Sequence, residues 1–484
     1  MIRLAVGASL LLAAASLALP YFPVYDPWAW LVWGRGLVEG GFETAAGPSW
    51  KPLPVLVDAP LSLLGDAAPK AWLLVARTGW ICASLLAGLL AWRLAGEETG
   101  RWRWAAALIA AGSVALTHDA FTPPLRQFTG GLSEPLLVAL VLGAIWAALD
   151  ERPGVALSLG AAAALLRPET WPFLAIWAYH ASRNRPRLRV AAMGVAILIP
   201  VAWFAPDIVG AGSPLEGGET ARAGGIEPLD GLAVLGRALA APLAAAWIGV
   251  GLLSWREWRL LGPGERRVPQ RDHPLAILLV GAAAYVSLVA LMAVAGFAGL
   301  PRFLAPATAT VAVIGAVGIA RVAAPPLSAA EKESAGLFSR YPEQRSGGLF
   351  FGSRPRKLAV AALAVAVVGF GWRVAQVPGD LRVVERQTAS LEDLFALVNR
   401  TGSGPLLACG GAVKMTQVRP QTALAWKLEE PIAAAPVRRL PLSGVALSTR
   451  QLPGGIVVAS TGRWRATQLP CPSGYSEVLA GLSR

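Results

Sequence analysis

Residues 275–298 read LAILLVGAAAYVSLVALMAVAGFA, 24 positions without a charged side chain. As a helix rising 1.5 Å per residue the stretch is about 36 Å long, enough to cross a hydrocarbon layer of roughly 30 Å. Runs of the same character recur at about 3–20, 72–95, 104–117, 134–149, 154–166, 171–182, 190–207, 238–254, 303–320 and 358–376, so eleven crossings are expected. Only 15% of the 484 residues are charged, 55% are hydrophobic, and the mean hydropathy is +0.52. A soluble domain carries roughly 25% charged residues. The composition therefore excludes a cytosolic enzyme and a disordered chain, and the fold class is mostly α, a polytopic transmembrane helical bundle.

The formal charge is +13, with 43 Lys and Arg against 30 Asp and Glu. In a soluble protein that balance suggests nucleic acid. Here it follows the loops. With the N-terminus inside, the inner segments carry 21 Lys and Arg and the outer segments before residue 377 carry 8, which is the bias that orients polytopic proteins. The N-terminus is expected in the cytoplasm and the C-terminal region outside the cell membrane, with the basic surface facing lipid headgroups and no nucleic acid as partner. Residues 3–20 fit either a first span or a signal peptide ending Ser16-Leu17-Ala18-Leu19-Pro20, and the rest of the topology is the same in both cases. The runs 154–166 and 171–182 are too short to cross unless they stop partway and bend. Their junction, Leu166-Arg167-Pro168-Glu169-Thr170-Trp171-Pro172, is irregular backbone that survives at that depth only inside protein or beside a wet cavity.

Two regions are expected. Residues 1–376 form the bundle, with a long first outer loop at 21–71, rich in Trp and Pro, and inner loops at 96–103, 183–189, 256–273 and 321–357, the last a flexible linker. Residues 377–484 form a small α/β extracytoplasmic domain, with a helix at 390–398 and strand-like runs at 405–409, 422–426 and 455–459. Cys409 and Cys471 both lie in that tail, where an oxidising compartment would join them as a disulfide; two free thiols is the other reading. Cys82, alone inside a span, reads as a small core residue. The histidines fall on different sides, His118 outside and His180 and His273 inside, so they make no metal set.

The residues able to carry chemistry gather on the outer side. Tyr25-Asp26-Pro27-Trp28 spells a helix start with Asp26 as the cap, and Trp28, Trp30 and Trp33 would anchor that helix at the headgroups. A carboxylate at the lip of the first span also suits a base acting on an interfacial substrate, and both readings stand. Lys51, in the proline-rich run Gly47-Pro48-Ser49-Trp50-Lys51-Pro52, either snorkels to headgroups or pairs with a substrate phosphate. Ser133-Glu134-Pro135 spells another helix start. Arg167 and Glu169 either pair with each other to pin the bend or leave Arg167 facing a phosphate. Arg302, after Gly299-Leu300-Pro301, and Arg126 are single interfacial arginines. Such scattered loops converging on one outer cavity would build a site for a lipid phosphate, with cations neutralising the leaving group and a carboxylate as base.

This pattern resembles the GT-C superfamily of integral membrane glycosyltransferases. The resemblance rests on Asp26 after the first span, the long first outer loop with short interfacial helices, Lys51-Pro52, Arg167-Pro168-Glu169 and Arg302-Phe303-Leu304; it covers about 1–376 in organisation, and the tail looks like the extra outer domain of many members. It implies an inverting transfer of a sugar from a polyprenyl-phosphate-linked donor to a glycan, lipid or protein acceptor of the cell envelope. Catalytic candidates are Asp26 as base, Glu134 and Glu169; the donor phosphate would be held by some of Lys51, Arg126, Arg167 and Arg302. No organic cofactor is implied, and the absence of an Asp-X-Asp pair leaves a divalent metal without support in the sequence. The rival readings are a lipid or glycolipid transporter or flippase and a non-catalytic assembly partner that uses the tail as a binding module. Transporters favour paired halves and intramembrane charge, whereas here no halves match and the charges sit at the outer rim.

Overall fold

The computed structural model describes residues 2–117, 124–222, 227–260, 273–324, 353–438, 441 and 443–471. The bundle opens with α1 (Ile2–Ser16), followed by α2 (Tyr25–Glu39) and α3 (Pro52–Ser62) in the long first loop, then α4 (Ala68–Ala95), α5 (Trp102–Thr117), α6 (Pro124–Gly130) and α7 (Glu134–Leu149). A short hairpin of α8 (Pro153–Ala164) and α9 (Trp171–Ser182) is joined by a 3₁₀ turn at Pro168–Thr170. Next come α10 (Pro186–Ala211), α11 (Glu216–Ala221), α12 (Pro228–Ala240), α13 (Ala244–Leu260), α14 (His273–Val294) and α15 (Ala305–Ala323). Helix α16 (Ser353–Thr401) runs from the bundle into the tail, which adds α17 (Ser403–Leu407), α18 (Gln421–Leu428) and a four-stranded sheet.

The chain is a multi-pass membrane protein. Five helices are long and apolar enough to cross a bilayer: Gly65–Ala95, Pro186–Ala211, His273–Val294, Pro301–Ala323 and Arg356–Thr401; the pair Leu229–Ala240 and Ala244–Arg256, bent by 85°, makes a sixth if it is one span. Each of the other expected spans is also helical, but α1, α5, α7, α8 and α9 are only 12 to 16 residues long. The expected span 238–254 is not one rod: the chain breaks between α12 and α13 at Ala241-Pro242-Leu243, where proline lacks the N–H that a continuing helix would use. The inner loop residues 261–272 and 325–352 lie outside the described residues, as does His118.

Small side chains hold the bundle. Helix α15 is buried along almost its whole length, and Gly315 and Gly318 face Ala246 and Gly249 of α13 so closely that no Cβ would fit. Such close backbone approach is the usual basis of helix association in lipid, where no hydrophobic gain separates helix from solvent.

In the tail the strands are β1 (Val413–Met415), β2 (Val445–Ser448), β3 (Ile456–Thr461) and β4 (Trp464–Gln468), ordered β1-β2-β4-β3, with β1 and β2 parallel and the other pairs antiparallel. The run 455–459 falls on β3 as expected, but 405–409 and 422–426 fall on helices α17 and α18. Apolar runs of five residues carry no period that separates a strand from a buried helix. Cys409 and Cys471 are joined in a disulfide.

The long first loop and the tail share one core. Trp28, Trp30, Trp33, Trp50 and Trp72 are buried in the same cluster as Leu394, Leu397, Trp426, Val445 and Trp464. The α2 tryptophans are therefore not headgroup anchors, as expected from their place beside a span; they are the seam between bundle and tail.

Candidate active site

Four connections converge at the site. The residues before α2 are tied to the residues before α7 by backbone bonds from Phe22 N to Thr129 O (3.3 Å) and Val24 N to Gly130 O (3.0 Å), and Trp72 Nε1 donates to Gly131 O at 2.9 Å. Leu53 N donates to Leu165 O at 3.1 Å, which fastens the Lys51 loop to the end of α8 just before Arg167. The indoles of Trp171 and Trp203 both donate to Ala164 O, at 3.0 and 2.9 Å, so the carbonyl freed at the α8 terminus is satisfied and the bend is fixed.

Asp26 is not the helix cap. The N-cap of α2 is Val24, without a side-chain hydrogen bond, and Asp26 lies in the first turn. Proline at 27 is tolerated there because the first four N–H groups of a helix have no intrahelical acceptor. Glu134 likewise caps nothing: Ser133 is the N-cap of α7 and Glu134 its first residue.

The freed carboxylates form an ion network. Oε1 of Glu134 meets Arg167 Nη2 at 2.5 Å, Lys51 Nζ at 3.6 Å and Arg302 Nε at 3.8 Å. Arg167 Nη1 also meets Glu169 at 3.6 Å, and Arg302 Nη2 donates to Asp26 Oδ2 at 3.4 Å. Lys51 further donates to Ser133 Oγ at 3.3 Å. Aromatic faces support the cations: Arg167 stacks on Phe303 at 3.7 Å from the ring centroid, and Lys51 lies 5.1 Å from that of Trp30. Arg126 is not part of this network; it pairs at 3.5 Å with Asp380 of α16.

Depth sorts the six groups. The Glu134, Glu169, Arg167 and Lys51 side chains are at most 10% exposed, whereas Asp26 and Arg302 are 14% and 25% exposed and form the rim. Burial pushes the Lys51 ammonium down to about 8, against the pull of Glu134 and Asp26, while Arg167 and Arg302 add to the depression. Burial also opposes the charge of Arg167, but Glu169 and Glu134 outweigh it and hold that guanidinium above its ordinary range.

Three cations face three carboxylates, yet the donors Arg167 Nε and Arg302 Nε and the acceptors Glu134 Oε2 and Glu169 Oε2 are buried without a hydrogen-bond partner among the described residues. Buried charged groups left unsatisfied are costly, which makes this network the candidate site. The phenol of Tyr285 on α14, which interacts electrostatically with Glu169 and Arg167, is also unpartnered. Nothing in the sequence singles Tyr285 out, since a lone Tyr in an apolar span reads as core. Among the described residues, no cluster of His, Cys, Asp and Glu is arranged to hold a metal.

No family model matches the sequence, and no curated protein matches it. Two solved structures share its fold: ArnT from Cupriavidus metallidurans in the apo state, with a TM-score of 0.52, and the same protein bound to undecaprenyl phosphate, with a TM-score of 0.51. In each the identity is 14%, and the alignment covers 96% of this chain and 97% of the other. The fold expected from the GT-C resemblance is thus the fold the chain has.

Proposed function

We propose that this chain is a membrane glycosyltransferase that moves a sugar, with inversion, from a polyprenyl-phosphate-linked donor to an acceptor hydroxyl at the outer face of the membrane. The observation that carries the reading is the single network joining a rim carboxylate, Asp26, through Arg302 to the buried cations around Glu134. Asp26 takes the proton of the acceptor hydroxyl as that oxygen bonds the anomeric carbon. The bond from that carbon to the phosphate oxygen breaks, and its electron pair leaves with the phosphate. Lys51, Arg167 and Arg302 neutralise the leaving anion in a water-poor pocket, where fixed charges act most strongly. That one solved structure of the same fold holds undecaprenyl phosphate supports a polyprenyl phosphate as ligand.

Among the three candidate carboxylates, Asp26 is the one at the rim, where an acceptor hydroxyl can reach it. Glu134 is engaged by three cations at one oxygen, and a carboxylate held that way is a poor proton acceptor; Glu169 is buried against Arg167, away from the rim. They organise the cations. Arg126, engaged by Asp380, has no part in holding the phosphate.

The test is transfer by purified protein from a polyprenyl-phosphate-linked sugar, with the product's anomeric configuration read by NMR, for the native chain and Asp26→Asn. Loss of a positioned base costs about 10²–10⁴ in rate. Loss of one first-turn carboxylate costs a helix only about 0.3–1 kcal/mol. Asp26→Asn should therefore remain folded and lose transfer. Transfer near the native rate by a monodisperse Asp26→Asn preparation would remove Asp26 as base.

A further inference from the structure

Helix α18 of the tail lies along α2 and is bonded to it near both ends. At the start, Thr422 Oγ1 donates to Tyr25 O at 2.8 Å, and Tyr25 OH donates to Gln421 Oε1 at 3.0 Å. Towards the other end, Arg35 donates from Nη1 to Trp426 O at 3.0 Å and from Nη2 to Glu430 O at 3.1 Å, with its guanidinium 5.0 Å from the Trp426 ring centroid. Thr422 is fully buried and Gln421 nearly so. Their partner, Tyr25, immediately precedes Asp26.

From this we infer that Gln421 and Thr422 are positioning residues, by which the C-terminal domain sets the helical turn that carries the proposed base Asp26. The inference rests on the reading of Asp26 given above. The first turn of α2 needs an external hold because it has no side-chain cap, and Pro27 within it donates no N–H. Its other ties are backbone bonds to Thr129 and Gly130 from Phe22 and Val24, ahead of the helix, the Trp28 indole bond to Pro23 O at 3.0 Å, and the Arg302 bond to the Asp26 side chain at 3.4 Å. None of these holds the carbonyl at the turn itself. The Thr422 hydroxyl does. The phosphate-facing cations come from other elements, Lys51 from the loop before α3, Arg167 from the α8–α9 bend and Arg302 from the turn before α15. A shift confined to the first turn of α2 would therefore misplace the base while Arg167, and Lys51 against Trp30 further along the helix, keep their places in the donor seat.

The discriminating variants are Thr422→Val, which keeps the shape and removes the donor, Thr422→Ser, which restores it, and Trp464→Phe. Trp464 fastens the sheet of the same domain to α16 through Nε1 and Ser390 O at 2.8 Å, without a hydrogen bond to α2 among the described residues. In the transfer assay Thr422→Val should lower kcat about 10-fold or more with donor KM unchanged, because misplacement near 1 Å can cost about 10²-fold. Thr422→Ser should recover most of the loss. Trp464→Phe should lower the melting temperature without that kcat defect. Hydrogen exchange of peptides spanning 25–35 supplies a readout independent of turnover: Thr422→Val should speed exchange there and Trp464→Phe should not. Equal kcat and equal exchange for native and Thr422→Val protein would overturn the positioning role and leave Asp26 untouched. No transfer by the native protein with any polyprenyl-phosphate sugar would overturn the enzymatic reading, while the exchange data would still decide whether Thr422 holds α2. Parallel losses in Thr422→Val and Trp464→Phe would show only domain stability and would also overturn the proposal.

Discussion

Replacing Glu134 with glutamine should move the pH dependence of donor binding. Lys51 sits 3.6 Å from Glu134, and with that neighbour present its ammonium titrates near 8, because burial outweighs the attraction. At 3.6 Å and an effective dielectric of 20, a pair of unit charges gains about 4–5 kcal/mol. At about 1.4 kcal/mol per pH unit that is roughly three units if nothing relaxes, and at least about one unit once water enters. In the native protein the affinity for a polyprenyl-phosphate-linked sugar should fall as pH rises through about 8. In Glu134→Gln the fall should come below about pH 7, by that shift of one unit or more. At lower pH, where Lys51 is charged in both, the variant should bind more tightly, since no carboxylate then competes with the phosphate for the three cations. The two curves cross.

The assay is the dissociation constant of the donor across pH 5.5–9 without acceptor, using the phosphate diester because it keeps a single charge throughout. Lys51→Arg should show no inflection, since arginine stays charged over the whole range. Stability runs the other way: a lysine whose folded value lies below its unfolded one destabilises the fold most at low pH, so stability rises with pH between about 8 and the ordinary value of 10.5. Melting and binding thus report Lys51 with opposite signs. A Glu134→Gln binding curve with the native midpoint, or a retained inflection in Lys51→Arg, would refute the assignment of Lys51 to the phosphate.

Other expectations are smaller. Arg126→Ala should leave donor affinity within about twofold and cost at most about 1 kcal/mol in stability, because its pair with Asp380 is partly exposed and Arg373 also faces that carboxylate; a tenfold loss of donor affinity would return Arg126 to the site. Asp58 on α3 is fully buried, with neither oxygen hydrogen-bonded among the described residues, and burial pushes its carboxyl well above the usual range. A folded value raised above the unfolded one leaves stability whole at low pH and erodes it by about 1.4 kcal/mol per unit as pH climbs towards the folded value. Asp58→Asn should therefore melt higher than the native protein at pH 8 and show no gain near pH 4, as followed by intrinsic fluorescence. Cys409→Ser should cost about 4 kcal/mol, from the loop of 62 residues that the bridge closes, and reductant should lower the melting temperature of the native protein but not of the variant.

The bundle was legible because lipid imposes a one-dimensional rule. A helix in hydrocarbon must satisfy its own backbone and be apolar for its whole length, so its boundaries are written in composition. Where the chain leaves lipid the rule lapses. Two strand-like runs in the tail are helices, and the strands at 413–415, 445–448 and 464–468 had no clear pattern, since a short sheet packed on a helix needs no strict alternation. The membrane boundary also misleads in the other direction. Trp28, Trp30 and Trp33 spell an interfacial anchor, yet the tail covers them, and a residue hidden by a distant segment looks the same in sequence as one meeting headgroups.

The site divides along the same line. Loop parity was enough to gather Asp26, Lys51, Glu134, Arg167, Glu169 and Arg302 on one expected side of the membrane, but it gathered Arg126 as well, which pairs with Asp380 instead. Their roles depend on angstroms that spelling does not contain. Two helix starts, at Asp26 and at Glu134, looked like caps because acid before proline is favoured there; in both, the helix begins so that the acid lies inside its first turn and its side chain is released from the backbone. A cap spends its oxygen on an N–H. Once released, Glu134 collects cations from three connections that are 83, 33 and 168 residues away, and Asp26 is left at the rim with Arg302 as its ion-pair partner. The same acid-proline spelling thus yields a carboxylate at depth that gathers cations and one at the rim that is proposed as the base, and exposure separates them.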